Sequence, residues 1–157
     1  MRLVAHSIRR AAGPGADSVT LDYEGRFRRR RLLTPAAGLP LQVDLAETVS
    51  LDEGDAFETD GRLVTVRAAV EPLAEVAAEG AELARLAWHV GNRHAPAQIG
   101  EGRLRIRRDH VLETMLARLG ATVRPVLAPF RPEGGAYGHG RTHGHHGGAG
   151  DDPHERR

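Results

Sequence analysis

The pattern of apolar and polar positions changes character about halfway along the chain. Over the first 70 residues the apolar positions form short β-type runs, each followed by residues typical of turns. Residues 39–45 alternate apolar with polar side chains, and residues 57–66 place an Asp-Gly turn between two β-prone runs, which is typical of a hairpin. A further strand is predicted at 19–21. These features predict a small all-β domain over residues 1–70.

Helical spacing replaces this pattern in the second half. A helix is predicted over residues 80–90, and Gly91-Asn92 is expected to end it. Its apolar stripe is formed by Leu83, Leu86, Ala87 and Val90. A second helix is predicted between its cap, Asp109, and Gly120. Its stripe is formed by Val111, Leu112, Met115, Leu116 and Leu119.

Strands are predicted around these helices at 73–78, 97–99, 103–107 and 121–128. The resulting order, β-α-β-β-α-β, is that of a ferredoxin-like unit. The sequence therefore predicts an α+β protein whose second domain spans residues 71–133. Residues 134–157 are dominated by Gly and His, and we expect this tail to be disordered.

Composition excludes several kinds of site. The chain has no cysteine, and all 22 of its Lys+Arg residues are arginine, so thiolate metal sites and a P-loop lysine are both excluded. A net charge of +1 argues against a general nucleic-acid binder. No apolar run approaches the length of a membrane span, and the first residues lack the apolar centre of a signal peptide. We therefore expect a cytoplasmic protein that does not enter a membrane.

The tail carries the densest candidate chemistry. Four imidazoles are separated mainly by glycines that leave the backbone free to wrap around an ion, at His139, His143, His145 and His146. Neutral imidazole is a common ligand of Ni(II), Zn(II) and Cu(II), so the tail predicts binding of a transition metal without identifying which one. An expression tag, or a Gly-rich spacer with chance histidines, are the alternatives.

A fixed candidate ligand lies outside the tail. His94 follows the predicted end of the first helix and precedes Pro96, which favours an extended conformation at Ala95. One histidine alone makes a poor metal site. A two-fold dimer would supply a second copy, because a residue near the axis faces itself. The alternative is an ordinary histidine in a surface loop.

Two weaker candidates lie on the predicted helices. His89 falls on the polar side of the first helix, where a solvated histidine is the alternative. His110 is predicted to be the first residue of the second helix, beside its cap, and an exposed histidine is again the alternative. His6 and His154 have no supporting context.

Arginines cluster at 28–31 and again at Arg103, Arg105 and Arg107. The simplest interpretation is that they decorate the solvent face of strands. The functional alternative is docking to an acidic protein partner. Binding of nucleic acid by stacking is disfavoured, because the chain has only one Trp, two Tyr and three Phe.

Several motifs occur together in an order that resembles one family. They are the segment Trp88-His89-Val90-Gly91-Asn92-Arg93-His94, the segment Leu104-Arg105-Ile106, the segment Asp109-His110-Val111-Leu112-Glu113, and the segment Pro132-Glu133-Gly134-Gly135-Ala136-Tyr137. The chain resembles the UreE family of urease accessory metallochaperones. The resemblance is strongest over residues 86–146 and is only topological over 1–70.

This resemblance implies a peptide-binding-like N-terminal β domain and a ferredoxin-like metal-binding domain through which the protein forms a homodimer. It implies that His94 binds Ni(II) at the dimer interface, that the tail histidines add ligands, and that His89 and His110 serve further sites in some members. The family delivers nickel to apo-urease with the GTPase UreG and the other accessory proteins. The chain differs from some members at Arg108, where they have another histidine.

The resemblance thus implies a nickel carrier and not an enzyme, while the residues alone leave the identity of the metal open. A metal-dependent hydrolase would require an arrangement such as a His-Glu-x-x-His helix, and no such spacing occurs in the sequence. A second hypothesis is a His-rich cytosolic protein that stores or buffers Ni, Zn or Cu and depends on the tail alone.

Overall fold

The computed structural model describes residues 1–135, which form an α+β fold of eleven strands and two helices. The first seven strands are β1 (Leu3–Ala5), β2 (Ser7–Arg9), β3 (Asp17–Leu21), β4 (Phe27–Leu33), β5 (Leu41–Ser50), β6 (Ala56–Thr59) and β7 (Arg62–Ala68). The remaining elements are β8 (Val70–Ala77), α1 (Ala81–Asn92), β9 (Gln98–Gly100), β10 (Arg103–Arg107), α2 (His110–Arg118) and β11 (Thr122–Pro129).

The first seven strands form two sheets with the orders β1-β5-β4 and β2-β6-β7-β3. The predicted alternation in β5 is confirmed, because Leu41, Val43 and Leu45 are buried and pack in one cluster with Phe57 and Val64. The hairpin of β6 and β7 is also confirmed: its strands pair as far as Thr59 and Arg62, which leaves Asp60 and Gly61 as the turn. These strands build the predicted all-β domain.

Two strands were not predicted, namely β1 and β2. Each has three residues, which is too short to establish a period of two. The strand expected at arginines 28–31 is confirmed as β4, although its burial pattern shows no alternation. It forms because it is an edge strand that pairs with β5 alone, and edge strands accept charged side chains on both faces.

The second half confirms the ferredoxin-like prediction. Its four strands form one antiparallel sheet in the order β11-β8-β10-β9. The apolar stripes of α1 and α2 contribute Leu86, Val90, Leu112 and Leu116 to one buried cluster with the sheet residues Leu104 and Ile106. Both helices therefore cover the same face of the sheet. β8 begins at Val70, earlier than predicted, because Val70 to Pro72 pair with β11.

The two halves are connected by a single residue between β7 and β8 and by a buried cluster that we call the domain joint: Tyr23, Leu73, Ala128 and Phe130. The ring of Tyr23 meets that of Phe130 edge to face, with centroids 5.4 Å apart. Arg26 is 2% exposed and donates to the carbonyl oxygens of Leu21 and Phe130. Burial lowers the pKa of its guanidinium.

Two ion pairs lie at the edge of this joint, Glu24 with Arg107 at 2.8 Å and Glu53 with Arg131. The backbone N–H of Tyr23 also donates to the Glu71 carboxylate at 2.9 Å. Apolar packing, ion pairs and a buried guanidinium therefore all hold the two halves together. No helix of residues 1–135 is long and apolar enough to cross a membrane.

Candidate metal centre

His94 lies just beyond α1 in a left-handed backbone conformation. Its φ is 56°, and Ala11 is the only other non-glycine residue of the described chain with a positive φ. The His94 N–H donates to the carbonyl oxygen of Gly91 at 2.9 Å, and the Ala95 N–H donates to that of Val90 at 3.2 Å. This pair of hydrogen bonds is the Schellman motif, in which the left-handed residue is usually glycine.

The predicted helix end at Gly91-Asn92 is therefore wrong, because both residues lie inside α1. A glycine ends a helix by adopting a positive φ, and Gly91 is not among the glycines that do so. The left-handed position comes later in the chain, at His94.

α2 ends with the same motif but uses glycine. The Gly120 N–H donates to the carbonyl oxygen of Ala117 and the Ala121 N–H to that of Leu116, both at 3.1 Å, and Gly120 has a φ of 98°. Both helices therefore end with the same motif. In α2 the left-handed residue is glycine, which adopts this conformation freely, whereas in α1 it is a histidine. The left-handed conformation costs a non-glycine residue about 1 kcal/mol or more, and such strain is concentrated at functional positions.

The loop after His94 is held firmly on both sides. Ala95 and Ala97 pack against the cluster beneath the helices. The Glu133 N–H donates to the Ala97 carbonyl oxygen at 2.8 Å, and the Arg131 N–H donates to Oε1 of Gln98 at 2.9 Å. The last described residues therefore run beside the loop that carries His94, and His94 itself is exposed.

His110 is the first residue of α2, as predicted, and is exposed. Its cap is confirmed, because the Asp109 carboxylate accepts from the Leu112 N–H at 2.9 Å, and Glu113 in turn accepts from the Asp109 N–H. The histidine borders an open concavity of about 440 Å³ whose lining is Arg93, His110, Val111, Thr114, Met115, Arg118 and Leu119. Since Arg93 precedes His94, this concavity joins the end of α1 to the exposed side of α2.

His89 lies in the last turn of α1 and is half-buried rather than fully solvated. Its ring meets Trp88 edge to face with centroids 5.0 Å apart. Trp88, the one tryptophan of the chain, is 64% exposed.

Within residues 1–135 no group of three or more histidines and carboxylates is arranged to hold a metal ion. The predicted ligands His139, His143, His145 and His146 fall outside the described residues. None of the candidate histidines at 89, 94 and 110 therefore belongs to a three-residue metal-binding group within the described residues. Because transition metals in proteins are bound by several ligands at once, binding at His94 would draw on ligands beyond one described protomer.

The sequence reasoning missed a buried carboxylate. Glu75 is 4% exposed in β8 and lies 2.6 Å from Arg124, 3.2 Å from Arg105 and 3.5 Å from Arg103. The hydrogen bonds from Arg124 are the main cause that lowers the pKa of Glu75 below its ordinary value. The sequence feature that could have indicated a buried carboxylate is the single acidic residue within the apolar run 73–76. The arginines of β10 therefore lie on the exposed side of the strand, as expected, and also form ion pairs with the carboxylates of Glu75 and Glu24.

Comparison with known proteins covers both halves of the fold. The family model described as the UreE urease accessory protein, N-terminal domain, matches residues 3–69. The model described as the C-terminal domain of the same protein matches residues 71–156.

Individual relatives agree with these matches. The urease accessory protein UreE of Ruegeria pomeroyi is 58% identical over 130 residues, which cover 82% of this chain and 86% of the relative. That of Cereibacter sphaeroides is 62% identical over 134 residues, covering 85% and 72%. That of Paracoccus denitrificans is 59% identical over 136 residues, covering 86% of each chain.

Proposed function

Because the chain belongs to the UreE family of urease accessory proteins, we propose that it carries Ni(II) to apo-urease while that enzyme matures. The family consists of accessory proteins, so the chain is a urease maturation factor and not an enzyme. Nickel is its cargo, and Zn(II) or Cu(II) would compete for the same imidazoles in vitro.

The fixed ligand in this proposal is His94, contributed by each protomer of a homodimer to a shared site near the two-fold axis. The observation that carries it is the left-handed backbone of His94 at a position where α2 has Gly120. An exposed imidazole kept at a backbone cost is typical of a binding residue. The absence of a three-ligand group within residues 1–135 supports a site that is completed by a second copy.

The tail is proposed to supply further ligands. Residues 131–133 are hydrogen-bonded to the loop that follows His94, so the tail starts beside that loop. His139 is six residues beyond Glu133, a length of chain that can span at most about 20 Å. A tether this short raises the local concentration of the tail imidazoles to roughly millimolar. His143, His145 and His146 follow within the same tail.

His89 and His110 are proposed as ligands of secondary sites on the helices. The protein is proposed to act in the cytoplasm with the GTPase UreG and the other urease accessory proteins. The chain has no lysine and therefore no P-loop, so nucleotide hydrolysis would be performed by the partner.

Isothermal titration with Ni(II) tests the shared site. The variant His94→Ala is expected to lose the tightest nickel site per dimer. The matched control His6→Ala, which removes another exposed histidine, is expected to retain it. An unchanged tight stoichiometry in His94→Ala would overturn the proposal.

Removal of residues 136–157 separates the carrier from a storage or buffering protein, which the dense tail histidines would also suit. The carrier hypothesis expects one nickel site per dimer to survive the truncation, with lower total capacity. The storage hypothesis expects all binding to disappear. Titration of the truncated protein with and without His94→Ala shows whether the surviving site is the one at His94.

A further inference from the structure

The sheet of the second half has one face without helices, and this face is rich in arginine. Along β10, Leu104 and Ile106 point into the cluster beneath α1 and α2. Since side chains alternate along a strand, Arg103, Arg105 and Arg107 lie on the opposite face. Arg107 already forms an ion pair with Glu24 at the domain joint. The part of this face that lies away from the domain joint therefore begins at Arg105.

Strand register places the charged groups in one row. Arg105 is opposite Glu75, which is opposite Arg124, so the three side chains span β10, β8 and β11 side by side. The neighbouring row consists of Gly100, Arg103, Ala77 and Thr122. Because the other residues of this row are small, the guanidinium groups are the main features of this surface. We call Arg103, Arg105 and Arg124, with Glu75, the arginine face.

The charges of the arginine face do not balance. Three guanidinium groups surround one carboxylate, which leaves an excess of two positive charges among these four residues. Both oxygens of Glu75 already accept hydrogen bonds, Oε1 from Arg124 and Oε2 from Arg105. Yet the Arg103 and Arg124 side chains remain 50% and 63% exposed, and each guanidinium has more donors than one carboxylate can use.

We propose that the arginine face is a docking surface for an acidic protein partner, whose carboxylates would accept the unused donors of Arg103 and Arg124. Arginine binds carboxylates through two parallel hydrogen bonds, which gives direction as well as charge complementarity. An RNA partner is disfavoured, because sheets that bind single-stranded RNA stack its bases on aromatic rings and neither row contains one.

The arginine face lies on the side of the sheet opposite the helices. α1 and α2 lie on the other side of the sheet, together with His110 and the concavity beside it. A partner docked on the arginine face would therefore leave the helix side of the sheet uncovered. Docking and metal binding could then occur at the same time in one protomer.

The test uses the full-length protein without metal, so that its outcome is independent of the nickel proposal. The probe is a short synthetic peptide of alternating Glu and Ala, titrated at low salt and followed by NMR of the backbone amides and the arginine Nε–H groups. The expected result is that signals of Arg103, Arg124, Ala77 and Thr122 shift. The variant Arg103→Gln/Arg124→Gln is expected to weaken binding about tenfold, because two charge-assisted contacts are lost.

The matched control Arg28→Gln/Arg31→Gln removes the same charge from β4 and is expected to change the affinity less than about twofold. Should the double variant affect folding, Arg103→Gln alone leaves both closer partners of Glu75 in place and is still expected to weaken binding. Shifts confined to β4, equal loss in both double variants, or tighter binding of an RNA oligonucleotide than of the peptide would each overturn the proposal.

Discussion

At the scale of single residues, the backbone of His94 distinguishes it from the other histidines of residues 1–135. The two helices end with the same pair of hydrogen bonds, but α1 uses a histidine where α2 uses Gly120. The backbone alone would favour glycine at both positions. The backbone alone therefore does not explain why a histidine occupies this position.

Two substitutions of His94 measure this backbone cost. His94→Gly and His94→Ala both remove the imidazole, but only glycine adopts the positive φ freely. After allowing for the greater freedom of glycine in the unfolded chain, His94→Gly is expected to be more stable than His94→Ala by about 0.5–1 kcal/mol. Urea denaturation checks this difference.

The matched control is Gly120→Ala, whose added Cβ would meet nothing within 4 Å. Its cost therefore comes from the backbone alone and is expected to be about 1 kcal/mol. Equal stability of the two His94 variants would contradict the assigned strain.

A second residue-scale prediction concerns pH. Glu75→Gln is expected to lower the free energy of unfolding at neutral pH by about 3 kcal/mol, because the arginines lose a buried carboxylate. The folded-state pKa of Glu75 is lowered, so this stabilisation is present above the unfolded-state value of about 4.3 and is lost as the pH falls through the lowered value. Urea denaturation across acidic pH should show the two proteins converging; a constant difference would contradict it.

At the scale of elements, the sequence predicted both helices and nearly all of their boundaries, because capping and apolar periodicity are local properties. Asp109 and Gly120 enclose α2 as predicted. The exception was the end of α1, where the local signal of Gly91-Asn92 was overridden. Val90, next to them, is fully buried, and packing of this turn keeps the helix continuous beyond it.

The cap of α2 can be tested directly. Asp109→Ala removes the acceptor of the Leu112 N–H and is expected to cost about 1 kcal/mol, whereas Asp109→Asn retains an acceptor and should cost a few tenths. Thermal unfolding of the three proteins provides the measurement. Equal losses in both variants would show that the charge, and not the hydrogen bond, stabilises the helix start.

At the scale of the whole molecule, the domain joint connects residues that are far apart in the sequence. Tyr23 and Phe130 meet there, and Arg26 donates to the Phe130 carbonyl oxygen across 104 positions. No local pattern could identify these partners. The same holds for the row of Arg105, Glu75 and Arg124, which exists only through strand pairing.

Phe130 provides the corresponding prediction. It is fully buried, and Phe130→Ala is expected to cost about 3–5 kcal/mol of unfolding free energy. Phe27→Ala makes the same chemical change at a side chain that is 45% exposed and should cost less than about 1 kcal/mol. Chemical denaturation of both variants decides the matter, and similar losses would show that the joint does not contribute as described.

The sequence by itself determined the α+β class, the ferredoxin-like order of elements, the cap at Asp109 and the candidate histidines. Periodicity, capping and residue chemistry are local properties, so they can be identified from the sequence alone. Only the tertiary structure decided the left-handed backbone of His94, the environment of Glu75 and the start of the tail beside the His94 loop. Each of these depends on long-range packing or strand register, which bring together residues that no sequence window contains.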